Sequence, residues 1–129
     1  MAKQRVFISH DYDHDNDLKI LLAGQAKLDD SPFDFTDASV KEHITGDWKE
    51  KVKMRLENCD QAIILCGEYT HTATGVSAEL EIIKEIDLPY FLLKGRSDKT
   101  CSKPTVASYS ESMYRWNWEN LKALIGGGR

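Results

Sequence analysis

The residues best suited to chemistry lie close together near the start of the chain, in the stretch SHDYDHDNDL. Aspartates alternate there with other residues, and two histidines lie among them, at Asp11, Asp13, Asp15, Asp17, His10 and His14. Calcium-binding loops space their carboxylates in this way, but they need a glycine at the sixth position and a bidentate glutamate at the twelfth. Those two positions hold Asn16 and Leu22. We therefore expect no calcium site, and a transition metal would need helical spacing of the histidines in a stretch predicted to be a loop.

The stretch divides into a part that follows a strand and a part that begins a helix. Asp15–Asp17 precede apolar residues at helical spacing, and such side chains favour helix starts because they accept hydrogen bonds from free backbone N–H groups. The inward-facing residues predicted from this spacing are Leu18, Leu21, Leu22, Gln25 and Leu28. Ser9–Asp11 instead come directly after the strand RVFIS, which makes them the better candidates for binding or catalysis.

One carboxylate also stands out in the run TGVSAELEIIKEID, which has the apolar spacing of a helix. At about 100° per residue, one face of that helix carries Val76, Leu80, Ile83 and Ile86. Glu81 and Glu85 lie opposite, but Glu79 falls on the apolar side, where an unpaired carboxylate is costly to bury. Either Glu79 reaches solvent in the first turn, or it is a carboxylate at a ligand site with a tuned pKa. In the second case it suits the stabilisation of an oxocarbenium-like centre, or the binding of a ribose hydroxyl, during cleavage of a glycosidic bond.

Short apolar runs alternate with amphipathic ones along the chain. The predicted strands are Arg5–Ser9, Phe33–Thr36, Gln61–Gly67, Tyr90–Leu93 and the weaker run SMYRW. The predicted helices begin at about Asp17, near Trp48, at about Thr74 and after Asn117. This order predicts a single α/β domain over residues 1–129. Its fold is expected to be flavodoxin-like and three-layered, with a central parallel five-stranded sheet in the order 2-1-3-4-5 and helices on both faces.

Composition and charge argue against several classes of protein. The chain has 129 residues, a formal net charge of −4 and no cluster of Lys or Arg, which argues against a nucleic-acid partner. The three cysteines form no CxxC pair, so we expect neither a disulfide framework nor a zinc site. No apolar run approaches the ~20 residues of a membrane span, and the start MAKQRVFISH lacks the apolar core of a signal peptide. We expect a cytoplasmic protein with no membrane partner.

The predicted topology also places a ligand site. In parallel α/β sheets, ligands bind beyond the carboxyl ends of the strands, at the point where the strand order reverses. The segments predicted at that edge are Ser9–Asp15, Asp37–Gly46 and Gly67–Gly75. The acidic stretch is therefore expected at the ligand edge on topology alone.

Three segments together resemble TIR-like domains, especially those of bacterial Thoeris-type proteins. RVFISHDYDHDND is similar to the first strand and loop of the family, and FDFTDASV to the second strand and the loop after it. AIILCGEYTHTATGVSAELEIIKEIDLPYFLL is similar to the third strand, the helix with the catalytic glutamate and the fourth strand, so the resemblance covers about residues 4 to 94. The family pattern W-V-x-x-E-[IL] aligns with Gly75–Leu80. It places the catalytic glutamate at Glu79, and Gly75 where the family has tryptophan.

The resemblance implies an enzyme that cleaves the nicotinamide–ribose bond of NAD⁺, which is its substrate, with no separate cofactor and no metal. Many members cyclise or transfer the ADP-ribose and so make a signal that activates a separate defence effector during phage infection. Glu79 is then the catalytic acid. The nicotinamide or ribose side of the pocket is assigned to Ser9, His10 and Asp11, and the start of a mobile second loop to Asp37, Ala38 and Ser39.

Two ring-bearing side chains are further candidates for contact with the substrate. Trp48 is a candidate for stacking on a substrate ring, with packing against the sheet as the alternative, and His71 lies in the loop before the catalytic helix. The chain has no glycine-rich phosphate fingerprint, so helix N-terminal amides would have to hold the pyrophosphate, with Lys41 or a neighbouring subunit as candidates for added contacts. The resemblance also leaves room for a phage-derived trigger and for a homo-oligomer.

Two other functions stay open. In one, the chain is a non-catalytic interaction module whose TIR-like surface assembles with itself or with a partner, which the glycine at Gly75 favours. In the other, it is a nucleoside deoxyribosyltransferase-like enzyme of the same fold. A response-regulator receiver is excluded because it needs an aspartate at the end of the third strand, where this chain has LCGEY.

Overall fold

The computed structural model describes residues 4–36, 48–107 and 110–127, with the backbone alone at Thr36 and Trp48. Its strands are β1 (Gln4–Ser9), β2 (Phe33–Thr36), β3 (Gln61–Cys66), β4 (Tyr90–Lys94) and β5 (Met113–Arg115). Its helices are α1 (Tyr12–Ala26), α2 (Trp48–Glu57), α3 (Thr74–Glu85) and α4 (Trp118–Ile125), and a short 3₁₀ helix spans Thr70–Thr72. Strands and helices therefore alternate as predicted.

The strands form a parallel sheet in the order β2-β1-β3-β4-β5, which confirms the predicted flavodoxin-like arrangement. β3 lies at the centre, and its residues are all buried, as expected of a strand that is covered on both faces. Ser9 at the end of β1 pairs with Ile64 of β3, and Phe7 pairs with Thr36 at the end of β2. The carboxyl ends of these strands therefore meet at one edge of the sheet, the edge predicted to bind the ligand.

Alternation along the strands divides the core into two layers, one on each face of the sheet. Helices α1 and α4 pack on the first face, against strand residues Val6, Ile8, Ile63, Leu65, Phe91 and Leu93. Helices α2 and α3 pack on the second face, against strand residues Phe7, Ala62, Ile64, Cys66 and Leu92. Ser9 lies two positions after Phe7, so its side chain points to the second face. That face carries α3, the helix of Glu79.

Helix α1 begins earlier than predicted. It starts at Tyr12 rather than at about Asp17, because Asp11 is its N-cap and accepts a hydrogen bond from the Asp13 backbone N–H at 3.1 Å. The expectation that the helix starts at Asp15–Asp17 is therefore wrong. Asp15 is only 1% exposed and has non-helical dihedral angles inside α1, at φ −121° and ψ 18°. The helix is kinked there, which the spacing of its apolar residues does not reveal.

The inward face of α1 also differs from the prediction. Leu18 and Leu22 are buried as expected, but Leu21 is 61% exposed, and Leu28 lies beyond the end of the helix and is 47% exposed. The buried face continues instead through the small residues Ala23 and Ala26. A pattern that counts only large apolar side chains shifts the face of the helix by part of a turn, because the alanines at the contact are overlooked.

The other helices follow the sequence closely. Helix α3 begins at the predicted residue, and Val76, Leu80 and Ile83 are buried in the second core layer. Asn117 caps α4 as predicted, because its Oδ1 accepts a hydrogen bond from the Asn120 backbone N–H at 2.7 Å. None of the helices in the described part of the chain has the length and apolar character needed to cross a bilayer.

Candidate active site

Ser9 and Glu79 meet at the carboxyl edge of the sheet. The Ser9 Oγ donates a hydrogen bond to the Glu79 Oε1 at 2.7 Å, although the two residues are separated by 70 positions in the chain. Ser9 is fully buried and Glu79 is 8% exposed. Strand alternation directs Ser9 toward α3, and the phase of α3 directs Glu79 toward β1. The alternative in which Glu79 reaches solvent is therefore wrong, and the glutamate is a buried acid with a defined partner.

Burial controls the ionisation of Glu79. Removal from water raises the pKa of this carboxyl group to about 7, and the hydrogen bond from Ser9, which favours the ionised form, opposes the rise. At neutral pH the group is thus divided between its acid and its carboxylate form. A carboxyl group near neutrality at the ligand edge of an α/β sheet is typical of an active site.

The Ser9 hydroxyl is expected to hold this pKa down. In a Ser9→Ala variant the Glu79 carboxylate loses its donor, so its pKa should rise above that of the parent protein and the fold should lose about 1–3 kcal/mol at alkaline pH. The measurement is a ¹³C NMR titration of the glutamate side-chain carboxyl signals. Ser77→Ala is the matched control, because Ser77 also lies on α3 but contacts the Thr105 hydroxyl, at 3.1 Å. An unchanged or lower pKa in Ser9→Ala would show that the hydrogen bond does not govern the acid.

The other residues predicted beside Ser9 form the buried turn that leads into α1. His10 is 5% exposed, and its Nε2 lies 3.3 Å from the Asn16 Oδ1. Asp11 is 7% exposed and, besides capping α1, has its Oδ2 2.7 Å from the His14 Nδ1. Asp11 therefore serves the helix start directly, a role that the sequence analysis assigned to Asp15–Asp17. Whether Asp11 also contacts a substrate stays a prediction.

His71, the predicted site residue in the loop before α3, contacts the Ser102 hydroxyl. His71 is exposed in the 3₁₀ helix, where its backbone N–H donates to the Ser102 Oγ at 3.0 Å and its Nδ1 lies 2.8 Å from the same oxygen. These contacts tie the segment before α3 to the segment after β4. The predicted contacts from Asp37, Ala38, Ser39 and Lys41, and from the side chain of Trp48, lie outside the described residues.

A second group of charged residues lies at the same edge, on the α1 side of the sheet. Arg96, two residues after β4, donates to Asp17 Oδ1 at 2.8 Å and to Asp15 Oδ1 at 3.3 Å. A cavity of about 210 Å³ lies beside this pair; its described lining is His14, Asp15, Glu68, Tyr69, Arg96, Asp98 and Lys99, and lacks both Ser9 and Glu79. Arg96 was not among the predicted site residues, although its place just after a strand end was a signal that it reaches this edge.

The described residues offer no ready metal centre. Within residues 4–36, 48–107 and 110–127, no group of three or more His, Cys, Asp or Glu side chains is placed to hold a metal ion. In the acidic stretch, Asp11 interacts with His14 and Asp15 with Arg96. These carboxylates are engaged by protein groups of opposite charge or by hydrogen-bond donors.

The fold and a family model together give the class of protein. The parallel sheet in the order 2-1-3-4-5 carries the buried Glu79 on the helix after the third strand and Ser9 at the end of the first strand. The family described as Thoeris protein ThsB, TIR-like domain, matches residues 7–99. The chain therefore belongs to the Thoeris ThsB TIR-like family.

Solved structures agree on the fold. A prokaryotic SEFIR domain is similar with a TM-score of 0.60 and 18% sequence identity, over 95% of this chain and 92% of that one. The TIR domain of the Toll-related receptor TRR-2 from Hydra magnipapillata is similar with a TM-score of 0.54 and 11% identity, over the same shares of the two chains. At these identities the likeness shows the fold alone. No curated protein matches the sequence.

Proposed function

We propose that this protein cleaves the nicotinamide–ribose bond of NAD⁺, with Glu79 as the catalytic carboxyl group, and releases an ADP-ribose-derived signal for a separate effector in anti-phage defence. The observation that carries the proposal is the buried Ser9–Glu79 hydrogen bond at the ligand edge, together with a Glu79 pKa of about 7. Membership of the Thoeris TIR-like family supports the biological setting.

The chemistry suits a carboxylate at this position. When the bond between the ribose C1′ and the nicotinamide nitrogen breaks, its electron pair goes to the pyridinium nitrogen, and nicotinamide leaves as a neutral molecule. The leaving group therefore needs no proton, while positive charge develops on the ribose ring. A negative Glu79 in a site with little water stabilises that charge strongly. Water, or a nucleophile of the adenine, then bonds to C1′ and releases a proton.

The rate of nicotinamide release is expected to rise with pH. The resemblance names Glu79 as the catalytic acid, but its ionised form is the one that stabilises an oxocarbenium-like centre. With a Glu79 pKa of about 7 in the free protein, kcat/KM for nicotinamide release should increase about 10-fold between pH 6 and pH 8. The measurement is initial nicotinamide release by chromatography at low NAD⁺, corrected for non-enzymatic hydrolysis. A rate that falls between pH 6 and pH 8 would show that the protonated form of Glu79 is the active one.

Substrate choice is tested by offering alternatives to the purified protein. NAD⁺ should yield nicotinamide, whereas deoxynucleosides with an acceptor base should yield no exchanged nucleoside. Because a phage component can be required as a trigger, the assay is run with and without lysate of infected cells that lack the protein. Base exchange with no nicotinamide release would favour the deoxyribosyltransferase-like enzyme instead.

A non-catalytic interaction module is the second candidate. It is favoured by Gly75, which stands where the family pattern has tryptophan. The space beside its Cα is open, because a methyl group added there would have no heavy atom of another described segment within 4 Å. In this case the biological output would not depend on the carboxyl group of Glu79. The Glu79→Gln variant separates the two functions.

A further inference from the structure

A buried carboxylate at the ligand edge has no part in the proposed chemistry. Asp15 is 1% exposed, and burial raises its pKa, an effect that Arg96 opposes. Its Oδ1 accepts from Arg96 Nη2, while its Oδ2 has no hydrogen-bond partner among the described residues. Burying an oxygen without a hydrogen bond lowers the stability of the fold, so another contact of the Asp15 side chain is expected to offset this cost.

The Asp15 carboxyl group fills the space left by a missing side chain. Gly67 is the first residue after β3, and a Cβ at that position would lie 2.5 Å from the Asp15 Cγ and closer still to both carboxylate oxygens. The carboxyl group therefore packs directly on the Gly67 backbone, and no larger residue fits there while Asp15 is in place. The backbone of Gly67 is itself fixed, because its N–H donates to the Thr70 Oγ1 at 2.8 Å and its carbonyl accepts from the Ser102 N–H at 2.9 Å.

Arg96 holds the same carboxylate from the side of β4. Its guanidinium contacts Asp15 and Asp17 and also donates to the His14 carbonyl oxygen at 3.1 Å. Asp15 is in turn linked to the turn before it, since its N–H donates to the Asp11 carbonyl oxygen at 2.8 Å. One carboxylate thus joins the segments that follow β1, β3 and β4.

We propose that Asp15 is a positioning residue: seated on Gly67 and held by Arg96, it fixes the substrate-facing turn Ser9–His14 against the segment that follows β3. Its consequence for NAD⁺ rests on the proposed function. Asp15 belongs to α1, on the first face of the sheet, whereas Glu79 approaches Ser9 from the second face. The contact therefore shapes the wall that binds substrate and leaves the acid itself in place.

The packing part of the inference is tested by a double-mutant cycle. Gly67→Ala should lower the melting temperature by about 5 °C or more, because the new methyl group overlaps the Asp15 carboxyl group. In the Asp15→Ala background, Gly67→Ala should leave the melting temperature nearly unchanged or raise it, since the methyl group enters the vacated space. Gly75→Ala is the matched control, because a methyl group there meets no atom of another described segment. Equal losses from Gly67→Ala in both backgrounds, or failure of the double variant to fold, would overturn the inference.

The positioning part is tested by steady-state kinetics. Asp15→Ala should raise KM for NAD⁺ roughly 10-fold, because displacement of a binding wall by about 1 Å weakens contacts strongly, while kcat stays close to that of the parent. Asp15→Asn should restore KM, since the amide keeps the shape and an acceptor oxygen for Arg96. Asp29→Ala, at an exposed aspartate beyond the end of α1, should change neither constant. An unchanged KM in Asp15→Ala, or a loss confined to kcat, contradicts the positioning role.

The two proposals fail in different ways. If the parent protein releases no nicotinamide, the proposed function fails, and the melting cycle together with backbone hydrogen exchange still tests the contact. Asp15→Ala should then speed exchange at the amides of Asp13–Asp15 and Glu68–Thr72 but not within β3. Faster exchange throughout the protein, or no change in exchange at these amides, would overturn the inference for any substrate.

Discussion

Replacement of Glu79 by glutamine is expected to lower nicotinamide release from NAD⁺ by roughly 10²–10⁴-fold while the fold is retained. Glutamine has nearly the same shape as glutamate, and its side-chain oxygen can still accept the 2.7 Å hydrogen bond from Ser9. What it cannot do is carry the negative charge that stabilises the ribose cation. The measurement is single-turnover release of nicotinamide at saturating NAD⁺.

The matched control for this variant is Glu81→Gln. Glu81 lies two positions later on α3 and is exposed, so loss of its charge should leave the rate within about twofold. Circular dichroism and the melting temperature of both variants establish that the fold is intact. Full nicotinamide release by a folded Glu79→Gln protein would remove Glu79 from the mechanism.

The same substitution should change how stability depends on pH. The Glu79 pKa is raised from 4.5 in the unfolded chain to about 7 in the folded protein. Below pH 4.5 the carboxyl group is mostly protonated in both the folded and the unfolded state, so its ionisation does not change the free energy of unfolding. As pH rises toward 7, the unfolded chain ionises first, so the folded state loses stability; by pH 8 the loss is about 3 kcal/mol. Glu79→Gln removes this loss.

Urea unfolding of the parent and of Glu79→Gln between pH 4.5 and pH 8 measures the effect. The free-energy difference between the two proteins should grow by about 3 kcal/mol in favour of the variant over this range. Asp15, whose pKa is also raised by burial, shifts stability in the same direction, but it is present in both proteins and cancels in the difference. Parallel curves for the two proteins would mean that Glu79 is not a desolvated acid in the folded state.

The fold and the central pair could be predicted from the sequence because both follow from regular periodicities. Alternating strands and helices specify a parallel sheet, and the right-handed crossover specifies its order. The period of α3 indicated Glu79 as a carboxylate on an apolar face, and the end of the first strand indicated Ser9–Asp11. In the structure, Ser9 and Glu79 are joined by a 2.7 Å hydrogen bond.

The contacts around that pair follow no such period. Asp11 caps α1, and Asp15 is buried within the helix. The helical spacing did not predict this burial, because the kink at Asp15 breaks the regular phase on which the prediction relied. Leu21 is exposed because the buried face of α1 continues through Ala23 and Ala26 instead. The Arg96 ion pairs join residues about 80 positions apart, and spacing along the chain carries no signal for such a pair. The predictions for Asp37–Ser39 and Trp48 remain predictions.

The proposed function requires a nucleotide signal that depends on Glu79, and metabolite mass spectrometry on phage-infected cells measures that signal. Cells that carry the parent protein, Glu79→Gln or Glu81→Gln are compared before and after infection. We expect an ADP-ribose-derived nucleotide, together with nicotinamide, to accumulate after infection with the parent and with Glu81→Gln, and to be absent with Glu79→Gln. Preserved defence in Glu79→Gln cells without any Glu79-dependent nucleotide would contradict the enzymatic function and favour an interaction module.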